Sequence, residues 1–315
     1  MKARTSISIR GKWVEVPSLQ FDEKTLILTG GWLKTASVHD ETWSENEIGD
    51  PELCVRQLKE NKEGVRADVF TFTQKPNCTA IKADYPVHRE SIAAACFTSY
   101  KEWWESLPQE TRKNVRRSQK RGVTIEVKQF DDDLIRSIME LNNESPMRQG
   151  KPFTHYGKSF EQVKHDYSAF IGRCDFMCAY FEGEIIGLCQ IVYRGDVASL
   201  IQLIVKGAHS DKRPSNALLA KAFELCDARG IKCFTYGNFN YGNKGNTPLR
   251  EFKTRHGFNE VLVPRYYVPL TVWGSLCVKL GIQRGLLGIL PESAIVTANK
   301  ARERWYRLKA ATKPV

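Results

Sequence analysis

The hydrophobic pattern changes character along the chain. In the first hundred residues the apolar positions fall in short runs rich in Val, Ile, Thr, Phe and Trp: KWVEV at 12–16, TLILTGGW at 25–32, ADVFTFT at 67–73 and TAIKA at 79–83. Such runs predict strands. One helix is expected within the polar stretch 44–64. After Ser99 the period lengthens. SYKEWWESLPQETRKNVRRSQKRG predicts helix, broken at Pro108 and closed by Gly122. VTIEVKQF (123–130) alternates as a strand. Leu134, Ile135, Ile138 and Leu141 recur at helical spacing. A polar, aromatic-tipped loop follows at 146–160, then a helix at 159–173.

Residues 175–207, DFMCAYFEGEIIGLCQIVYRGDVASLIQLIVKG, carry the strongest sheet signal: three apolar runs joined by EGE and RGD turns. HSDKRPSNALLAKAFELCDARG then predicts a helix with Pro214 in its first turn, Gly230 at its end and a buried stripe of Ala217, Leu218, Ala222, Leu225 and Cys226. A strand (IKCFTYG), a Gly/Asn-rich loop (NFNYGNKGN), a short helix (TPLREFKTRHG) and a last strand (FNEVLVPRYYVPL) complete the pattern. The fold class this predicts is α/β, a mixed central sheet flanked by helices. The expected domains are a small α/β or β-rich unit at 1–97, a main domain at 98–270 and a basic helical extension at 271–315.

Charge sharpens this division. The net charge is +11, yet residues 1–97 hold 13 Lys/Arg against 14 Asp/Glu, so the whole basic excess follows residue 97. That predicts an anionic partner for the later part. The densest stretch, TRKNVRRSQKRG at 111–122, has six cations, no carboxylate and a single apolar residue, Val115. It has two readings: a solvated helix face that packs on little, or a surface for a polyanion. The nine cysteines are scattered and never spaced C-x-x-C, so they are expected to be buried thiols, with no metal site. No apolar run reaches transmembrane length and the N-terminus lacks a signal-peptide core, so a cytoplasmic protein is expected.

Four stretches resemble a known family. WWESLPQETRKNVRRSQKRGVTIEV, PSNALLAKAFELCDARGIKCFTYG, PLREFKTRHGF and VPRYYVPL, in that order across roughly 98–270, are similar to the GNAT acyltransferases, and in detail to their Fem-like branch of peptidoglycan-bridge aminoacyltransferases and polysaccharide-associated acetyltransferase domains. The resemblance implies a GNAT-like sheet and an acyl or aminoacyl transfer to an amine, with acyl-CoA or aminoacyl-tRNA as co-substrate and no tightly bound cofactor. One feature departs from acetyl-CoA enzymes, whose glycines let backbone N–H groups approach the pyrophosphate. No glycine lies between His209 and Gly230. Fem-type proteins also lack them.

Direct transfer needs a positioned donor, a base and a positive group for the oxyanion. Lys253 matches the family's Phe-Lys position, which implies the cationic role. Tyr236, Asn238 and Tyr241 lie at or beyond a strand's C-terminal end, where α/β sheets place ligands. His155, in the 146–160 loop with Arg148, is a candidate base beside the acceptor. Lys212, Arg213, Ser215 and Asn216 open a helix and are candidates for a donor phosphate; Arg112, Arg116, Arg117 and Lys120 are candidates for a tRNA backbone. The expected acceptor is an amine of an envelope or polysaccharide precursor or of a small peptide. The C-terminal tail NKARERWYRLKAATKPV, with six cations and one Glu, predicts peripheral contact with the inner face of an anionic membrane. Two alternatives stand beside this reading: an acetyl-CoA-dependent N-acetyltransferase, and a non-catalytic nucleic-acid-binding module on a degenerate GNAT core. Oligomeric state is left open.

Overall fold

In the computed structural model of the chain, residues 3–9, 12–40, 47–60, 66–148, 151–240, 247–284 and 297 are described. They fall into two compact units. The first draws on described residues within Met1–Ile92, Asn240–Gly245 and Val261–Val296, the second on those within Ala93–Phe239, Asn246–Glu260 and Thr297–Val315. The chain thus enters the second unit near Ala93 and returns to the first at Val261. The expected divisions at 97 and 270 therefore differ from the compact units, because residues 261–284 pack with the N-terminal segments instead of forming a separate extension.

In the first unit, β1 (Arg4–Ile9), β2 (Lys12–Phe21), β3 (Lys24–Thr29) and β4 (Thr35–Val38) form antiparallel neighbours, helix α1 (Pro51–Glu60) follows, and β5 (Val69–Thr73) pairs in parallel with β4. Phe21, Leu26, Ala36, Phe70, Phe72, Leu58 of α1 and Tyr266 build its core. Four elements differ from expectation, and two of them, β1 and β4, are strands outside the runs that predicted strands. TAIKA is not a strand. β6 (Val87–Cys96) is a strand that the pattern does not single out, because most of its buried stretch is Ala93–Ala95, which carry little strand signal.

The second unit continues with α2 (Tyr100–Ser106), α3 (Gln109–Lys120), β7 (Thr124–Lys128), α4 (Asp132–Asn142), the two-residue strands β8 (Met147–Arg148) and β9 (Lys151–Pro152), α5 (Phe160–Ser168), β10 (Cys174–Phe181), β11 (Glu184–Arg194), β12 (Val197–Val205), α6 (Pro214–Ala228), β13 (Cys233–Asn238), α7 (Pro248–Arg255) and the start of β14 (Asn259–Pro269). Beyond Glu260, β14 belongs to the first unit and pairs antiparallel with β5. It is followed there by α8 (Val272–Lys279).

The second unit's sheet order is β13-β12-β11-β10-β7, antiparallel except for β12 and β13. A parallel pair needs a crossover, and α6 supplies it. Alternation along β10 splits the core in two. Met177 and Ala179 face the cluster with α6, Trp103 and Phe223, whereas Phe176 and Cys178 face α4 and α5. Trp103 stacks on Phe223 at 3.9 Å and 13°. The basic helix α3 does pack: Thr111, Val115 and Ser118 are buried. Small polar side chains at spacings of three and four residues serve as its inner face, so the shortage of apolar residues does not leave it unsupported.

Candidate active site

The start of α6 organises the site. Pro214 occupies the first turn, where its missing N–H costs nothing. Arg213 precedes it in the left-handed region at φ 58°, an uncommon conformation for a side-chain-bearing residue. Its guanidinium makes no ion pair or side-chain hydrogen bond among the described residues.

A cavity of about 550 Å³ opens here. It is lined by Arg213, Ser215 and Asn216 of the α6 start, by Glu251, Phe252, Arg255 and His256 of α7, and by Thr111 and Asn114 of α3. Two contacts fix α7 against its neighbours. The indole of Trp103 donates to the His256 carbonyl (3.0 Å), and the Thr111 hydroxyl donates to the Arg255 carbonyl (3.0 Å). Gly257 ends the helix at φ +82°, and a Cβ there would sit 2.9 Å from Trp103 Nε1. Glycine is thus required both by conformation and by the approach of the indole.

Inside the cavity, His256 Nδ1 lies 2.7 Å from the Phe252 carbonyl. A carbonyl only accepts, so Nδ1 carries the proton. Burial depresses the imidazole pKa to about 4, which keeps the ring neutral. Nε2 must then accept from Asn216 Nδ2, at 2.9 Å. This chain of donors fixes the Asn216 amide: its Oδ1 accepts nothing among the described residues. The cavity therefore presents one unpaired cation, Arg213, and one oriented acceptor. Arg255 is neutralised within the cavity by Glu251, four residues earlier on α7.

Lys253 sits on the opposite side of α7 from these lining residues and is fully buried. Its ammonium donates to the Asn238 carbonyl at the end of β13 (2.6 Å) and lies 4.5 Å from the centre of the Tyr236 ring. Desolvation lowers its pKa to about 8. Three of the sequence candidates, Lys253, Tyr236 and Asn238, are thus brought together. Three more, Arg213, Ser215 and Asn216, share the cavity. Tyr241 lies outside the described residues.

The remaining candidates are elsewhere. Lys212 points away from the cavity, over the Phe181 ring (4.6 Å) and beside Asp211. Arg148 is occupied by the fold: it donates to the carbonyls of Val205 and Leu141 (2.9 Å each) and pairs with Glu144. Its guanidinium ties the end of α4 to the end of β12. His155 packs beside Phe153 and 3.7 Å from Asp166, which Lys158 already engages at 2.5 Å; burial lowers its pKa. On α3, Arg117 pairs with Asn114 and Glu110, Arg116 lies 5.7 Å over Trp104 at the rim of a second cavity of about 410 Å³, Arg112 is half-buried, and Lys120 is exposed. Sequence reasoning missed Arg255 and His256. Their signal was helical spacing: 251, 252, 255 and 256 form one face of α7, and Lys253 the other.

Residues 109–253 match the family described as Acetyltransferase (GNAT) domain. Over that segment, just under half of its length, the chain is similar to GNAT acetyltransferase domains. Its fold is Fem-like over nearly the whole length. The crystal structure of FemX superposes with a TM-score of 0.59 at 10% identity, covering 88% of this chain and 90% of FemX. The C-terminal DUF2156 domain of an Agrobacterium fabrum protein assigned as a lysylphosphatidylglycerol synthetase gives 0.54 at 13% identity, with 84% and 87% coverage. L-PGS from Bacillus licheniformis gives 0.51 at 15%, with 84% and 88%. Among curated proteins none matches at the sequence level. The matched segment contains α3, α6, Lys253 and α7 as far as that residue, whereas Arg255 and His256 of the cavity lie just beyond it. Among the described residues no group of His, Cys, Asp and Glu is arranged to hold a metal ion.

Proposed function

We propose that this GNAT domain transfers an aminoacyl group from aminoacyl-tRNA to an amine of an envelope or polysaccharide precursor or of a small peptide. The observation that carries the choice of donor is the α6 start. A pyrophosphate cradle uses successive free backbone N–H groups. Here Pro214 has none, the Asn216 N–H already bonds the Arg213 carbonyl (3.0 Å), and no glycine opens the turn. Recognition falls to side chains instead. The Arg213 guanidinium suits a single phosphodiester, and Asn216 Oδ1 suits a hydroxyl or amino group of a nucleotide. The FemX-like fold supports the same reading.

In this proposal the acceptor amine attacks the ester carbonyl of the donor. The N–C bond forms as the C–O bond to the tRNA ribose breaks, and the proton lost by the amine is balanced by the one the ribose hydroxyl gains. Lys253, mostly protonated at pH 7 with a pKa of about 8, places buried positive charge beneath the end of β13. The oxyanion then forms above that strand end, with the donor phosphate in the α6 cavity. Tyr236 and the Asn238 carbonyl hold it in place. Contact with a membrane through the basic C-terminal residues would bring a lipid-linked acceptor near.

The experiment is single-turnover transfer from labelled aminoacyl-tRNA to amine-bearing precursors and peptides, with Lys253→Met alongside the wild type. Amide product from the wild type and its loss in a folded Lys253→Met protein support the proposal. Hydrolysis alone, or no reaction with any charged tRNA, contradicts it. A second reading, acyl-CoA as donor, is favoured by the description of the matched family as an acetyltransferase domain; acetyl-CoA in the same assay decides between them.

A further inference from the structure

Helix α8 is apolar on two faces. Cys277 is buried among Leu33, Val69 and Tyr267, with Val278 and Ile282 packed against the same cluster. The other face carries Val272, Trp273, Leu276 and Leu280, which are 89%, 42%, 47% and 60% exposed. Residues 272, 276 and 280 follow at intervals of four, so they form one stripe. Trp32, 65% exposed, extends it, meeting Trp273 edge-to-face at 6.1 Å. A helix that is hydrophobic all round needs cover on both sides, and a patch of five large apolar side chains marks an interaction surface.

The patch is rigidly displayed. Leu270 N–H donates to the Asp68 carbonyl (2.8 Å), and the Thr271 hydroxyl donates to Asp68 Oδ1 (3.0 Å). Gly274 lies so close to the same backbone that a Cβ would fall 1.9 Å from the Asp68 oxygen. The α8 start is thereby pinned to residue 68. The Trp273 indole N–H bonds the Trp32 carbonyl (3.1 Å), so no donor is stranded when the ring is buried in an apolar medium.

We propose that this stripe is a lipid-docking surface that seats the protein on an anionic bilayer. Three features select a bilayer as the occupant. Two tryptophans stand at the surface, the residue type suited to the boundary between acyl chains and headgroups. Lys34, two residues after Trp32, and Lys279, beside Leu280, are exposed and make no ion pair among the described residues, so they are available to lipid phosphates. Residues 272–284 hold two cations, Lys279 and Arg284, and no carboxylate, so the segment's own charge adds electrostatic attraction to the apolar insertion. Among the described residues no helix is long and apolar enough to cross a membrane, so the helix lies on the surface. The inference concerns the first unit and does not depend on which donor the second unit uses.

Co-sedimentation of the full chain with vesicles tests it. One set is phosphatidylcholine alone, the other includes about one-third phosphatidylglycerol. Binding is expected to the anionic vesicles, weakening as salt rises, and to fall about tenfold or more in Leu276→Ser/Leu280→Ser. Trp32→Ala, outside the helix, is expected to weaken it in the same direction, which keeps the test decisive if the double variant fails to fold. No binding to either vesicle overturns the proposal. So does equal binding by wild type and folded variants. A wild-type dimer that Leu280→Ser converts to a monomer, without vesicle binding, would assign the stripe to a second copy and overturn it as well.

Discussion

Two buried bases, Lys253 and His256, sit three residues apart on α7 and titrate in opposite parts of the pH scale. Lys253 has a folded pKa near 8, below its ordinary 10.5. Between those values the unfolded chain holds more protons, so stability rises with pH across about 8 to 10.5. Lys253→Met should abolish that rise, read as the wild-type-minus-variant difference in urea midpoint at pH 7.5 and pH 10. It should also lower turnover about 100-fold or more if the ammonium serves the oxyanion. His256 has a folded pKa near 4 against 6.5. Its contribution is fully present above pH 6.5 and is lost as pH falls toward 4. His256→Gln should flatten the acid limb of stability between those values. Because His256 only orients Asn216, the variant should weaken donor binding more than it slows the chemical step, a split that KM and kcat would report separately.

At the scale of elements, glycines and one indole decide where α7 and α8 can sit. Gly274→Ala forces a Cβ into the Asp68 carbonyl, 1.9 Å away. The expected cost lies at or above the upper end of about 1–3 kcal/mol, the range for overpacking, seen as a lower urea midpoint. Trp103→Ala removes a fully packed ring that stacks on Phe223 and bonds the His256 carbonyl. About 3–5 kcal/mol is expected, with loss of the α7 position. These elements were partly legible in the sequence. The β10–β12 runs, the α6 stripe and the Gly122 and Gly230 stops follow directly from apolar period and turn chemistry. β6 did not, because Ala93, Ala94 and Ala95 read as neutral. The inner face of α3 did not either, because Thr111 and Ser118 look like surface residues until a neighbouring helix covers them.

The whole molecule shows what local pattern cannot carry. The compact units exchange chain at several points, residues 93 and 261 among them; the charge shift after residue 97 lies near the first, and none marks the second. Half the site was readable for a related reason. Lys253, Ser215 and Asn216 stand in stretches whose order resembles a family and Arg213 directly precedes one; Arg255 and His256 share the Lys253 stretch, but their place in the cavity, like the role of Arg148, depends on which segments the fold brings together. The charge excess after residue 97 belongs to this scale too. If α3 touches an extended polyanion, Arg116→Ala and Lys120→Ala should each lower affinity for tRNA modestly and reduce its salt dependence, with little effect on stability, since both side chains are exposed.

The measurement that tests the central claim most directly is equilibrium binding of charged tRNA, uncharged tRNA and acetyl-CoA to the wild type and Arg213→Ala at two salt concentrations. Saturable, salt-sensitive binding that favours charged tRNA, about tenfold weaker in the variant, is expected, with no saturable binding of acetyl-CoA. Saturable acetyl-CoA binding without preference for charged tRNA, or tRNA affinity unchanged by Arg213→Ala, would contradict it.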